Sequence, residues 1–361
     1  MIIKPPVQWK NSLLRYITYI LFFPLSLLFA FLLLIKNSIA KLRPVKNKVR
    51  VICIGSLSVG GSGKTPFVEW YARLLVARGL KLCVISNGYR KKSHGLVCVS
   101  DGIKMNASLD ASGDEAYMMA INFLNDNLNI PVISSPNRSH GIDFAEKNYD
   151  PDIILLDDGF QDFSVYKDAV LCVEDYWERD YPQLWLPLGR LRDLKQNIKK
   201  CNAHVVTKIP PHAVLQTEAG ALPFLGFTYY RYAMYDLDDH PLNFEILKHK
   251  KIIVLAGLGH NDAFLRTVES IARDNSAEVI HFAEFHDHHW YSRADIRRIL
   301  SLQGSDTNDY IVLTSQKDAI KVKKEWVPSG FRFFYLKPFM KPVHDAAADE
   351  LAAIALRLKR Q

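Results

Sequence analysis

The stretch VRVICIGSLSVGGSGKTPFVEW, residues 49–70, constrains the fold of this chain more than any other. It reads as a strand, a glycine-rich loop and a helix. Val49 to Ile54 is a β-branched apolar run suited to a buried strand, and Pro66 stands where the first turn of a helix tolerates a missing N–H. A loop between such elements wraps its backbone N–H groups around a phosphate chain, with the positive end of the helix behind them. The stretch therefore predicts a nucleotide-phosphate site.

Each residue of the loop has an expected role at that site. The lysine of such a loop reaches the β- and γ-phosphates, and the hydroxyl after it binds Mg²⁺. The full pattern has Gly at position 58, where this chain has Ser58, and an ordinary glycine turn is the alternative interpretation. The flanking strand and helix favour the phosphate site, because chance matches lack them. The residues expected to bind the nucleotide are Gly60, Gly61, Ser62, Gly63, Lys64 and Thr65.

Two adjacent acids follow a second apolar strand, about ninety residues after the loop. The strand runs from Ile153 and ends in Asp157 and Asp158. In a P-loop fold such an acid holds Mg²⁺, directly or through water. One acid at a strand end could equally cap a helix, but two neighbouring carboxylates are hard to keep together without a cation. We predict metal or phosphate binding here, with the amide of Gln161 beside the acids.

Two further segments contain candidate catalytic residues. Asp114 follows Ser112-Gly113 at the start of a predicted helix, where Ser112 is the expected cap and the helix dipole keeps a carboxylate ionised. Taken alone, it is better explained as an ordinary N-terminal acid. In FHDHH, residues 285–289, an Asp beside a His can orient the imidazole as a proton carrier, but metal ligands or solvated loop residues are also possible. No cysteine cluster accompanies the segment, which disfavours zinc.

The N-terminal segment has a membrane pattern. Tyr16 to Ile35 is twenty residues without a charge, about the length of a helix that crosses a hydrocarbon core. Lys36 to Arg50 then carries six basic residues and no acid, which by the positive-inside rule keeps the following domain cytoplasmic. The other flank is also basic, so a shallow or hairpin insertion broken at Pro24 is an alternative to a full span. A buried core helix is the third interpretation.

The basic charge is concentrated at the same end of the chain. The formal net charge is +8, yet residues 1–68 hold ten Lys or Arg and no Asp or Glu. The rest of the chain carries 36 basic and 38 acidic residues and is about neutral. This distribution favours anionic membrane lipids as partners and argues against a nucleic-acid groove. Five cysteines without a CxxC pair indicate small core residues in a reducing compartment.

Alternating strand and helix patterns predict an α/β fold, a P-loop NTPase-type doubly wound and mainly parallel sheet. The sequence pattern changes near Pro210-Pro211, and a second series of alternating strands and helices follows. We predict a membrane anchor with its basic flank at 1–45, a P-loop domain at 46–212, and a second, smaller α/β domain at 213–361 with a closing helix. Thr207-Lys208 begins a base-reading signature of GTPases, but the fourth position is Pro210, so guanine preference is not supported.

With these segments in order, the chain resembles the tetraacyldisaccharide 4'-kinase family, the lipid A 4'-kinases of Gram-negative inner membranes. The resemblance covers nearly the whole chain, and the pairing of DDGFQ with GGSGKTP is its most specific part. It is carried by SVGGSGKTP (58–66), SNGYRKK (86–92), GDEAYMMA (113–120), LLDDGFQD (155–162), LPLGRLRD (186–193), VTK (206–208), AGLGHND (256–262), FHDHH (285–289) and TSQKDAIK (314–321).

The resemblance implies ATP- and Mg²⁺-dependent phosphorylation of the 4'-hydroxyl of an acylated disaccharide 1-phosphate, at the cytoplasmic face of the bacterial inner membrane. It implies that Asp114 is the general base and that His288 works with it. Asp157 and Asp158 correspond to the acids of the Mg²⁺ and nucleotide site. Gln161 and Arg192 lie in motifs expected to line the phosphates or the substrate, and Tyr89 is a further substrate-binding candidate.

Two rival functions remain at this point. A membrane-tethered P-loop ATPase or switch shares the loop and the acids, but leaves Asp114 and the 285–289 segment unexplained. A structural membrane adaptor with a vestigial nucleotide site predicts no binding of Mg²⁺-ATP. Release of ADP that depends on the lipid substrate distinguishes the kinase from both.

Overall fold

The computed structural model describes residues 12–39, 46–180, 183–210, 213, 222–302 and 307–359. The described strands are β1 Arg50–Gly55, β2 Leu82–Ser86, β3 Val97–Ser100, β4 Val132–Ser134, β5 Ile153–Asp157, β6 Ala169–Asp175, β7 Ala203–Thr207, β8 Phe224–Asp236, β9 Pro241–Leu242, β10 Lys251–Ala256, β11 Glu278–Glu284, β12 Tyr310–Ser315 and β13 Phe333–Pro342. The described helices are α1 Ser12–Ile39, α2 Lys64–Ala77, α3 Leu109–Ser112, α4 Asp114–Asn125, α5 Arg138–Tyr149, α6 Asn261–Asp274, α7 Arg293–Leu300, α8 Gln316–Ala319 and α9 Ala346–Lys359.

The described strands form one sheet in the order β11-β10-β12-β13-β8-β7-β6-β1-β5-β2-β4-β3, with β9 paired to β8. Most neighbours are parallel, and the antiparallel pairs are β3 with β4, β8 with β9, and β8 with β13. Strand β1 lies between β5 and β6 in parallel register, with Ile54 opposite Asp157. The predicted fold class is confirmed. Because the strands are parallel, the loop after β1 and the acids at the end of β5 lie at one edge of the sheet.

Alternating side chains of β1 pack against helices on both faces of the sheet. Ile52 and Ile54 contribute to a core that includes residues of α2, α4 and α9, whereas Val51 and Cys53 belong to a core on the α5 side. This is the two-sided burial that produces continuous apolar runs in parallel strands. Around β10 the same division recurs, with α6 on one face and α7 on the other.

Strand β8 links the two halves of the sheet. Its first residues pair with β7 and its remainder pairs with β13. Helix α9, at the end of the second half, packs on α2 of the first half, and the Tyr71 hydroxyl donates a hydrogen bond to the Leu351 carbonyl over 2.9 Å.

The predicted boundary at residues 212 and 213 adjoins residues 211, 212 and 214–221, which lie outside the described residues. The domain division stays a prediction.

The start of α4 differs from the expected cap. Ser112 is the last residue of the short helix α3, and its hydroxyl donates to the Ser108 carbonyl over 2.8 Å. Gly113 is the N-cap residue of α4, with φ 84°. A Cβ at Gly113 would lie 3.1 Å from Cα of Gly88, so this tight junction favours glycine for both conformation and space.

Helix α1 runs without interruption through Pro24, so the described helix is not broken into a hairpin there. Residues Tyr19–Lys36 have a mean hydropathy of 2.3 and are long and apolar enough, by length and composition, to cross a membrane. Large apolar side chains of this stretch are exposed, Phe31 by 58%. A buried core helix does not fit this exposure. The Ser26 hydroxyl donates to the Trp185 carbonyl over 3.0 Å, which attaches one face of the helix to the body.

Candidate active site

The glycine-rich loop connects the buried strand β1 to α2. Gly60 has φ 123° and Gly63 has φ 75°, conformations that favour glycine. The Ser62 carbonyl accepts a hydrogen bond of 2.7 Å from the Thr207 hydroxyl at the end of β7. A Cβ at Gly63 would lie 2.9 Å from that hydroxyl oxygen. The loop is therefore held closely against the neighbouring strand, with the N-terminus of α2 directly behind it.

Lys64 begins α2 and points toward the acids. Its Nζ lies 3.2 Å from Ser62 Oγ and 3.8 Å from Asp158 Oδ1. Thr65, the next residue, is buried. The predicted phosphate-binding lysine, the hydroxyl and the acid pair are thus neighbours in the structure. This is the arrangement that a P-loop enzyme needs around the terminal phosphates.

Asp158 is held by two cations. The Arg192 Nη1 lies 3.0 Å from Asp158 Oδ2, and Nη2 of the same guanidinium contacts the other carboxylate oxygen. Burial alone would raise the pKa of Asp158, but Lys64 and Arg192 lower it to about 2. Arg192, predicted as a substrate residue, is therefore paired with Asp158 in this structure, and Asp158 stays ionised.

Asp157 is in a different environment. It is buried at the end of β5, and its Oδ1 has no hydrogen-bond partner among the described groups. Burial raises the pKa of Asp157, and the negative charges of Glu115 and Asp158 raise it further. Arg138, which the sequence analysis did not single out, donates to the Asp157 carbonyl over 2.8 Å. A buried carboxylate with an unpartnered oxygen is suited to binding a cation.

A cavity of about 750 Å³ opens beside Asp158, between the end of α1 and the segment after β5. The Gln161 amide donates to the Ser56 carbonyl over 2.9 Å, so Gln161 braces the strand end next to this cavity. The cavity has apolar lining from α1 and the 160–164 segment, and charged or polar lining from the body. Its lining includes Leu32, Ile35, Phe163, Arg138, Gln161 and Arg192.

Asp114 and His288 come from opposite halves of the sheet and are in direct contact. His288 Nδ1 lies 2.8 Å from Asp114 Oδ2, and both side chains are largely buried. Burial alone would raise the pKa of Asp114, but the hydrogen bond from His288 and the charges of Lys317 and Lys321 lower it to about 2. Asp287, expected to orient an imidazole, lies 3.7 Å from His288 Nε2, so it is the more distant carboxylate.

Lys317 completes this cluster and was missed by the sequence analysis. Its Nζ lies 3.1 Å from His288 Nε2 and 3.4 Å from Glu115 Oε1. Burial alone would lower the pKa of Lys317, but Glu115 and Asp114 raise it above its usual value. A charged lysine can only donate, so we assign Nε2 of His288 as the acceptor and Nδ1–H as the donor to Asp114. No sequence signal marked Lys317 beyond its place in the TSQKDAIK segment.

The remaining predicted residues take different places. Tyr89 is 54% exposed, and its ring lies 5.1 Å from the His288 ring in an edge-to-face arrangement. It therefore lies beside the Asp114–His288 pair and not among the residues that line the cavity. Arg90, next to it, donates to the Asp287 carbonyl over 3.0 Å. The ring of His289 packs 4.6 Å from the Phe285 ring, as a structural residue would.

The departure at Ser58 from the phosphate-loop pattern has a local explanation. Ser58 is buried, and its hydroxyl donates to Oε2 of Glu178, a buried acid that follows β6. Burial raises the pKa of Glu178, against the lowering effects of Arg190 and Ser58. The serine thus supplies a hydrogen bond that a glycine could not.

The fold and the site define a P-loop kinase: a glycine-rich loop followed by a lysine, two acids at the end of the neighbouring strand, and a carboxylate in contact with a histidine. The profile of the family described as Tetraacyldisaccharide-1-P 4'-kinase matches residues 18–355. The chain belongs to that family, and the predicted enzyme class, an ATP-dependent kinase of lipid A biosynthesis, is confirmed.

Individual relatives agree with this membership. The chain is 31% identical over 280 residues to the tetraacyldisaccharide 4'-kinase of Aquifex aeolicus, covering 77% of this chain and 81% of the relative. It is 27% identical over 328 residues to that of Flavobacterium johnsoniae, covering 87% and 91%. A crystal structure of the "apo" form of LpxK from Aquifex aeolicus in complex with ATP has a TM-score of 0.72 and 27% identity, and covers 93% of this chain and 98% of its own.

Proposed function

We propose that this chain transfers the γ-phosphoryl group of ATP to the 4'-hydroxyl of a tetraacyldisaccharide 1-phosphate. The observation that carries the proposal is the contact of 2.8 Å between Asp114 Oδ2 and His288 Nδ1. The second half of the sheet also reaches the phosphate loop here, since a Cβ at Gly259 would lie 3.4 Å from Asp287 Oδ2 and 3.6 Å from the Gly61 nitrogen. A switch or an adaptor has no use for a buried carboxylate–imidazole pair beside its nucleotide. A kinase that acts on an alcohol needs such a pair to accept the hydroxyl proton.

In the proposed reaction, the sugar oxygen attacks the γ-phosphorus while its proton passes to Asp114. The new bond joins the 4'-oxygen to phosphorus, the bond from phosphorus to the β,γ-bridging oxygen breaks, and ADP leaves. Lys64 and the loop amides stabilise the phosphate charge, which is most of what phosphoryl transfer requires from a protein. His288 orients Asp114 through Nδ1–H, and Lys317 fixes that orientation from the other side of the ring.

The residues present fit a Mg²⁺ ion. Asp157 offers an unpartnered, buried carboxylate oxygen, and the Thr65 hydroxyl lies at the start of α2 next to Lys64. We propose that these two residues hold the metal. Bound there, Mg²⁺ would neutralise charge on the β- and γ-phosphates. Asp158, paired with Lys64 and Arg192, is then an electrostatic partner of the phosphate-binding lysine.

A lipid substrate is supported by the cavity beside Asp158. Leu32 and Ile35 of α1 line it, together with Arg138 and Arg192. Such a cavity suits a molecule with acyl chains and an anionic sugar head. Helix α1 is exposed and apolar, and Lys36 follows its apolar stretch. We infer that the enzyme meets its substrate at the cytoplasmic face of the bacterial inner membrane, with anionic lipids attracting the basic flank.

The two-domain division is part of the same proposal. The phosphate loop and Asp114 belong to the half before residue 212, and His288 and Lys317 to the half after it. The reaction then takes place where the two halves meet. Contacts across this junction include the hydrogen bond of 2.7 Å from the Gln316 amide to Asn122. Small relative movements of the halves would alter the Asp114–His288 contact and so gate the chemistry.

A kinase assay with purified disaccharide 1-phosphate and labelled ATP tests the proposal. We expect labelled phosphate at the 4'-position and ADP release that depends on the lipid. ATP hydrolysis at the same rate with and without lipid would instead support a switch or ATPase. Absence of Mg²⁺-ATP binding would support an adaptor.

A further inference from the structure

Arg190 is a polar residue at the phosphate loop that the mechanism above does not use. Its guanidinium lies directly on Gly60, and a Cβ at Gly60 would overlap its Nη2. The side chain is 14% exposed. The lack of a side chain at Gly60 is therefore what allows an arginine to lie against the loop.

The structure orients this arginine from several sides. Its Nε donates to the Val59 carbonyl over 3.1 Å, and its own carbonyl accepts from the Val59 N–H over 2.8 Å. Its Nη2 lies 3.1 Å from His260 Nε2 and 3.5 Å from Glu178 Oε1. These contacts restrict the guanidinium before any nucleotide binds, which lowers the entropy cost of using it.

His260 and Glu178 both contact Nη2 of Arg190 and influence its charge environment. Burial and the charges of Lys208 and Arg190 together lower the pKa of His260 to about 4, so the neutral ring accepts the arginine N–H. Glu178 compensates part of the positive charge and also accepts from Ser58. Arginine keeps its proton under all conditions in proteins, so this group can serve as a fixed positive charge.

The position of Gly60 in the loop indicates which phosphate the Arg190 guanidinium faces. Gly63, Lys64 and Thr65 form the junction with α2, whose N-terminus receives the inner phosphates. Gly60 is on the opposite arm of the loop, so a phosphate chain that enters the loop presents its terminal group toward this arm. Arginine side chains delivered to that region in other phosphoryl-transfer enzymes stabilise the charge of the transition state.

We propose that Arg190 is a further catalytic residue, an arginine supplied by the chain itself that donates N–H groups to the γ-phosphoryl oxygens as the phosphoryl group is transferred. The inference rests on the proposed kinase reaction. Arg190 gives up no proton and forms no covalent bond. It stabilises the charge on the equatorial oxygens while the bond to ADP breaks and the bond to the sugar oxygen forms.

Arg190→Ala and Arg190→Lys test this role, with Arg179→Ala as the matched control. Arg179 is an exposed arginine whose guanidinium lies over the Phe224 ring, 5.6 Å from its centre. Lipid-dependent ADP release, affinity for ADP alone, and affinity for ADP with aluminium fluoride are measured for each full-length protein. The fluoride complex mimics the phosphoryl group in transfer and needs no lipid.

We expect Arg190→Ala to lose about a hundredfold or more of turnover and most of the added affinity for ADP with aluminium fluoride, while ADP alone binds within about threefold of normal. Arg190→Lys should recover part of both losses, and Arg179→Ala should behave as the unmodified chain. Turnover above about a tenth of normal in Arg190→Ala, or equal losses of ADP and fluoride-complex affinity, would overturn the proposal. If the unmodified chain shows no lipid-dependent turnover, the proposed function fails, and the fluoride comparison still decides the role of Arg190.

Discussion

His288 Nδ1 lies 2.8 Å from Asp114 Oδ2, although the two residues are 174 positions apart in the chain. Asp114 is the first residue of α4, and His288 follows β11 in a turn where its own φ is 60°. Lys317 Nζ, 3.1 Å from the other ring nitrogen, leaves the imidazole one arrangement of donors and acceptors. These contacts fix the orientation of the Asp114 carboxylate, as the proposed proton acceptor requires.

Asp114→Ala and His288→Ala should each slow lipid-dependent turnover by about a hundredfold or more, because they remove the proton acceptor or its orientation. ATP binding should remain nearly unchanged. The double variant should be much less impaired than the product of the two single effects. Asp143→Ala, an exposed acid on α5, is the control. Steady-state kinetics with a nucleotide-binding titration checks this, and strictly multiplicative losses would show that the two residues act independently.

The acid limb of the pH–turnover profile should shift to higher pH when Lys317 is changed to Met. Burial raises the pKa of Asp114, but His288, Lys317 and Lys321 together lower it to about 2, so the base stays ionised at low pH. Removing the Lys317 charge weakens the lowering effect, so Asp114 protonates at a higher pH and turnover falls there. We expect an upward shift of about one pH unit. Lys317→Arg, which keeps the charge, should shift less, and an unchanged profile in Lys317→Met would contradict the assigned contact.

Lys64→Ala should remove most activity, because the lysine neutralises charge on the β- and γ-phosphates. We expect less than about a tenth of normal turnover. Lys104→Ala, an exposed lysine outside the site, is the control. The same kinase assay measures both variants. Retention of more than that tenth by Lys64→Ala would count against the phosphate-loop role.

Removal of divalent metal by a chelator should abolish turnover, and added Mg²⁺ should restore it. Asp157→Asn keeps the size of the side chain but removes the charge of the buried carboxylate, whose Oδ1 is unpartnered. We expect this variant to need at least about tenfold more Mg²⁺ for half-maximal turnover. An unaltered Mg²⁺ dependence in Asp157→Asn would assign the metal to other residues.

Deleting residues 1–40 should abolish stable membrane association, because it removes the exposed apolar helix α1. ATP affinity should change little, since the phosphate loop follows β1 and none of the residues expected to bind the nucleotide belongs to the deleted segment. Sedimentation with membranes and a nucleotide titration measure the two effects. If the truncated chain still sediments with membranes, the basic stretch after residue 40 or a surface of the body is the anchor.

Features that depend on a few consecutive residues were predictable from the sequence. The glycine loop, the apolar strand before it and the acids at the end of β5 carry their own local patterns, and the parallel sheet follows from their alternation with helices. Ser112 was wrongly expected to cap α4, because Gly113 takes the N-cap position. The roles assigned to Asp114 and His288 came from the family resemblance, since neither residue is distinctive alone.

The tertiary structure alone decided which distant groups meet. Lys317 reaches His288, Arg192 pairs with Asp158, Arg138 supports the end of β5, and Arg190 lies on Gly60, and none of these pairs is marked by spacing in the chain. Helix α9 packs on α2 although Tyr71 and Leu351, which join them, are 280 positions apart in the chain. The physical reason is that a side chain's partners are set by the register of the sheet and the packing of its helices. The sequence by itself therefore determines the local chemistry of each segment, and the fold decides which of these segments act together.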